Sequence, residues 1–95
     1  MALVSGRKTV TAGGTAEALS ATSVGVRVLW IMAETDNTSP VTVGGPDVVG
    51  ALLTRKGLTL RATDPPVKLE GVSDLAGVYV DVITNGDGVT FVYGA

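Results

Sequence analysis

At 95 residues the chain is one small domain, 45% hydrophobic but only 17% charged, where ordinary soluble domains carry about a quarter charged residues. A formal charge of −2, with the basic residues scattered singly or in pairs, makes no phosphate-tracking stripe and leaves no electrostatic case for nucleic acid. The absence of histidine and cysteine removes the commonest general base, the thiol nucleophile and the commonest transition-metal ligands together.

Valine and threonine dominate, and β-branched side chains suit a pleated surface. Thirteen glycines and four prolines break the chain at short intervals, and no window carries apolar residues at helical spacing. The expectation is therefore an all-β fold, a small antiparallel β-sandwich or jelly-roll-like barrel of seven to eight short strands. Residues 1–8, polar and basic at their end, are expected as an N-terminal arm ordered against a neighbour, and residues 9–95 as a single β-sandwich domain. Met1 to Lys8 holds no apolar run of signal-peptide length. The longest apolar stretch, Val28 to Ala33, is far short of a bilayer span, so no membrane partner is expected.

In chain order, Arg7 to Thr11 reads as a first strand closed by Ala12-Gly13-Gly14. Thr15 to Ser20 reads as a second, with Glu17 and Leu19 on one face and Ala16, Ala18 and Ser20 on the other. The longest runs from Val24 to Ala33. Strict alternation there puts Val24, Val26, Val28, Trp30 and Met32 on a core face, with Gly25, Arg27, Leu29, Ile31 and Ala33 opposite. Trp30 is accordingly read as a core anchor, the alternatives being an interface residue or a sugar-stacking ring.

Glu34 to Pro40 is a polar loop. Val41 to Val43 is a fourth strand ended by Gly44-Gly45-Pro46, and Asp47 to Leu53 is open between a short strand and a helical turn. Leu58 to Arg61 and Val67 to Glu70 follow as strands, separated by Asp64-Pro65-Pro66, which no sheet ladder accommodates. Ser73-Asp74-Leu75 reads as a capped turn before an apolar strand, Val78 to Ile83. Asn85-Gly86-Asp87-Gly88 then predicts a tight hairpin to Val89–Tyr93, because these residues accept the positive φ such turns need.

No constellation carries chemistry. The acids stand singly near turns, so no catalytic carboxylate pair is set up, and the chain is read as a non-enzyme with no catalytic, cofactor-binding or metal residues. The Asn85–Gly88 segment lacks the alternating acids and closing glutamate of a calcium loop, and a turn accounts for it. Gly13-Gly14 and Gly44-Gly45 are turns and not phosphate cradles, since neither precedes a lysine or a helix pattern. Asp64, Glu70, Asp74, Asp81 and Asp87 leave the last third acidic against Lys68 alone, which reads as solvated charge or as an orienting field toward a partner.

The order of several segments resembles a known family. Lys8-Thr9-Val10-Thr11-Ala12-Gly13-Gly14-Thr15-Ala16-Glu17-Ala18-Leu19 at the start, Val41-Thr42-Val43-Gly44 in the middle and Asp74-Leu75-Ala76-Gly77-Val78-Tyr79-Val80-Asp81 before Gly86-Asp87-Gly88-Val89 are similar to small head-decoration, or cement, proteins of tailed bacteriophages. The resemblance implies a β-sandwich subunit on the capsid surface, with the major capsid protein and further copies of itself as partners, a trimer favoured. It implies virion localisation after synthesis in a bacterial cytoplasm. Some of those proteins carry a fibre extension after the last strand, and its absence favours capsid attachment over receptor binding. No site residues come with the resemblance. A receptor- or glycan-binding module of a tail or baseplate is the rival expectation, and would show an exposed aromatic cluster over a concave polar site. The capsid expectation is a flat, largely aliphatic exposed patch.

Overall fold

The computed structural model describes residues 3–94, and among them the chain forms eight strands and one short 3-10 turn. In chain order these are β1 (Leu3–Thr9), β2 (Glu17–Ala18), β3 (Val28–Ala33), β4 (Val41–Gly44), β5 (Leu58–Leu60) and β6 (Val67–Leu69). The turn Leu75–Gly77, β7 (Tyr79–Val82) and β8 (Gly88–Gly94) complete the chain. β1 pairs with β8, β2 with β7, β3 with β6 and β4 with β5, all antiparallel. Further pairing of β3 with β8 and of β4 with β7 wraps this ribbon into two four-stranded sheets, ordered β1-β8-β3-β6 and β2-β7-β4-β5. That strand order is a jelly roll, the expected all-β sandwich.

The core lies between the sheets. From the β1 sheet come Leu29, Ile31, Ala33, Val89 and Phe91, and from the β2 sheet Val41, Val43, Leu60, Val80 and Val82, all buried. Val10, Leu19, Leu75 and Val78 close its ends. Aliphatic residues fill most of a thin two-layer core, and the buried Phe91 ring lies over Gly6 on β1 and beside Tyr93.

Three expectations are corrected. The long strand does not keep one alternation from Val24 to Ala33. Val26 is buried and so are Leu29, Ile31 and Ala33, so the inward period slips by one residue at Arg27–Val28. There the Arg27 N–H donates to the Gly94 carbonyl at 2.7 Å and a bend precedes β3. The slip turns Trp30 outward, 44% exposed, and removes it from the core. The predicted hairpin across Asn85–Gly88 is an arch between sheets: β7 pairs with β2 and β4, β8 with β1 and β3. Gly86 takes the positive φ of 91° that the turn required, but Val82 and Val89 face one core from opposite sides. Finally, residues 3–8, expected as an arm, belong to β1 and pair residue for residue with β8, from Leu3↔Gly94 to Lys8↔Val89. The strand thus begins earlier than Arg7. Met1, Ala2 and Ala95 lie outside the described residues.

Candidate interaction surfaces

The polar side chains that sequence reading left free are occupied in holding loops. Asp81 on β7 is 1% exposed and points away from the core, under the β4–β5 loop. Its carboxylate accepts from the backbone N–H of Gly50 at 2.8 Å, Gly14 at 3.0 Å and Val82 at 2.9 Å. Asp87 accepts from the N–H groups of Thr38 and Ser39, and Asn85 from Gly13. Asn37 exchanges two hydrogen bonds with the Gly88 backbone. Asp74 caps the 3-10 turn through Ala76 N–H and also holds Val24 N–H and the Ser23 hydroxyl. A carboxylate sinks several backbone donors at once, so the acidic last third of the chain is largely a set of loop ties. Among the described residues no group of three or more acidic side chains is placed to hold a metal ion.

Lys8 and Glu17 close one side of the sandwich. They sit on β1 and β2, the edges of the two sheets, with the ammonium 2.9 Å from the carboxylate and each side chain about a quarter exposed (27% and 25%). Thr11 adds its N–H and hydroxyl to the same carboxylate. The Lys8 hydrogen bond, aided by its charge and by Thr11, holds the Glu17 carboxyl below its ordinary pKa; the Ser23 hydroxyl, with the Ala76 and Val24 N–H groups, does the same for Asp74. A depressed folded-state pKa gives a contribution that is complete above the unfolded-state value and is lost as pH falls through the folded one. Thermal stability is therefore expected to decline once pH drops into the ordinary carboxylate range, about 4–4.5, and to go on falling below it. The variant Glu17→Gln should show a shallower acid slope in melts recorded from pH 7 to pH 2; an unchanged slope would exclude Glu17 from the acid response.

Apolar side chains reach solvent at several places. The first is the outer face of the β1-β8-β3-β6 sheet. There the slip at Arg27 leaves Trp30 and Met32 outward beside Val92, with Ser5, Thr90 and Pro66 completing a shallow groove of about 310 Å³. Lys68, paired with Trp30 across β6 and β3, stands 6.0 Å over the indole ring, a cation–π distance. The groove's Met32 end runs on to Arg7, Glu34 and Asp36, where Arg7 Nε meets Glu34 at 2.8 Å. The second place is the β4–β5 loop. Its stem is pinned by Gly50 N–H to Asp81, by the Val49–Lys56 bridge and by Val48, which packs on Gly44 and stands over the β4 sheet's outer face. Leu52 and Leu53 at its tip are 72% and 95% exposed. The third is the start of β1, where Leu3 and Val4 are exposed. A further cleft opens between the sheet edges β5 and β6, lined by Leu58, Leu69, Val72 and Val78.

Sequence reading singled out Trp30 but placed it inside, and it missed Leu52 and Leu53. The available signal was chemical: two adjacent leucines between Gly50 and Arg55-Lys56-Gly57 cannot both point inward in an extended segment. Tyr79 and Tyr93 are half-buried, and Tyr93 is packed against the core beside Phe91. No helix among the described residues is long and apolar enough to cross a membrane. Comparison with protein families, curated proteins and solved structures finds no match for this chain.

Proposed function

We propose that the chain is a protein-binding structural module that works inside a larger assembly, as a capsid decoration subunit fastened to the outside of a phage head. The observation that carries this reading is the exposure of large apolar side chains on opposite sides of one small domain, Trp30 on the outer face of one sheet and Leu52 and Leu53 on the loop over the other. A monomer rarely exposes large apolar residues in clusters, and one two-fold interface uses one patch. Apolar patches on opposite sides suit a subunit with more than one neighbour, as in a shell. The jelly roll recurs among viral capsid proteins as well as lectins and cupins, so the fold is compatible with the reading without selecting it. The resemblance of its segment order to that of cement proteins supplies the specific direction.

The exposed patches favour this over a glycan-binding module. Trp30 stands among aliphatic side chains in the groove, with Met32, Val92 and Pro66 around it, and the two tyrosines are turned elsewhere. A sugar platform needs several accessible rings beside polar side chains. On a symmetric shell, many copies multiply a modest interface.

Purified protein mixed with empty heads of tailed phages should co-sediment saturably with expanded shells and not with unexpanded ones. Retention on immobilised host-surface glycans, with no uptake on any shell, would overturn the reading in favour of a receptor-binding role.

A further inference from the structure

The groove and the loop tip differ in shape and lie on opposite sides of the sandwich. Trp30, Met32 and Val92 form a concave apolar strip on the outer face of one sheet. Leu52 and Leu53 project from a loop that covers the outer face of the other. No single chain can satisfy one with the other. We infer that the Leu52–Leu53 tip of one copy seats in the Trp30 groove of a second copy, so that copies join head to tail.

Charge as well as shape suits this occupant. The tip is flanked by Arg55 and Lys56, with Asp47 as the acid nearest to Lys56, at 3.9 Å. The Met32 end of the groove is lined by Glu34 and Asp36 against Arg7, which faces Glu34, while Lys68 stands over Trp30 at the other end. The tip thus has a cation in excess, and the Met32 end of the groove a carboxylate in excess. Arg55 and Asp36 are the members without an ion pair among the described residues, and the buried Arg55 Nε donates no hydrogen bond. Opposite charges around an apolar plug steer and orient such a contact. The loop stem is tied down at Val49, Gly50 and Lys56, which limits the backbone entropy lost when the tip docks.

Because tip and groove lie on opposite sides of one copy, two copies cannot engage both pairs at once, so the contact is heterologous and builds closed rings or open chains. The contact does not depend on the shell reading. Because the plug is small beside a standard interface of roughly 800 Å² per partner, the association is weak in free solution and grows with concentration.

Sedimentation velocity of the whole chain across a wide concentration range tests it. The wild type should shift to larger species as concentration rises. Leu53→Asp in the tip and Trp30→Glu in the groove should each weaken association about tenfold to a hundredfold, the effect of losing one buried apolar anchor. Ser5→Arg, at an exposed groove position, serves as a second groove variant should Trp30→Glu fail to fold. The decisive measurement is the mixture. Leu53→Asp keeps its groove and the groove variant keeps its tip, so the two together should form a one-to-one dimer and nothing larger. A wild type that stays monomeric throughout, or a mixture that forms no dimer, would overturn the contact. A monomeric wild type that still loads onto shells, and loses that loading with Leu53→Asp, would assign the tip to the shell and overturn the contact while leaving the shell reading standing.

Discussion

Replacing Asp81 by alanine is expected to destabilise the fold by about 3–5 kcal/mol, the largest loss from removal of any polar side chain in the domain. The carboxylate is 1% exposed and accepts three backbone N–H groups, from Gly14, Gly50 and Val82. Hydrogen bonds to a charged acceptor contribute more than neutral ones, and buried donors left without a partner carry the full desolvation cost. Gly14 N–H retains a 3.2 Å contact with the Val82 carbonyl, which holds the loss below three complete bonds. Asp81→Asn keeps the shape and one acceptor oxygen but turns an amide N–H₂ toward a donor, so about half the loss is expected. Total stability for a domain of this size is commonly about 5–10 kcal/mol, so the alanine variant should melt far below the wild type. Urea unfolding of the three proteins gives the comparison. A loss under about 1 kcal/mol would mean that the loops rearrange to satisfy those donors without the carboxylate. The same tie fixes the stem of the loop that carries Leu52 and Leu53, so amide exchange at Gly50 should quicken in both variants.

Where the elements lie was legible because the chain punctuates itself. Val41–Val43, Leu58–Leu60 and Val67–Leu69 sit between glycine or proline turns, and each is a strand within a residue of its expected bounds. Asp74 caps its turn as read. Which way side chains point was less legible, because period-two alternation carries no warning of a slip. The irregularity at Arg27–Val28 is fixed by a bond to Gly94, far away in sequence, and it reverses every side chain of β3. Pairing was least legible. Asn85 and Gly86 specify a local backbone turn, but whether the next strand lies beside the last or across the core is decided by partners such as β1 and β3. The surfaces that bear on function depend on these same long-range features. Trp30 reached the surface through the slip, and Leu52 and Leu53 through a loop whose seat depends on Val48, Gly44 and Asp81. Charge was misleading for a related reason: Asp74, Asp81 and Asp87 look like solvated surface in sequence, and only the fold brings backbone donors to them.

Glycine at position 88 sets the second large effect. An alanine Cβ there would stand 2.1 Å from the Lys8 carbonyl oxygen and 2.8 Å from Thr9 Cα, both backbone atoms of the strand paired with β8. The Gly88 backbone is also held on its other side, its N–H by Asn37 and its carbonyl by Asn37 and Glu34, so it has nowhere to retreat. β1 must lift from β8 at the Thr9 end, which also draws Lys8 away from Glu17. Gly88→Ala is therefore expected to cost about 3 kcal/mol or more, at the upper end of overpacking effects. Gly6→Ala is the informative contrast. Its Cβ would also come too close, at 2.4 Å, but to the far end of the Phe91 ring. A side chain can turn where a backbone cannot, so about 1–2 kcal/mol is expected there. Equal losses at the two positions in urea unfolding would show that the edge strand yields as readily as a side chain. The predicted inequality instead makes β1 a firmly seated member of its sheet, with Leu3 and Val4 offered to a neighbour from a fixed strand.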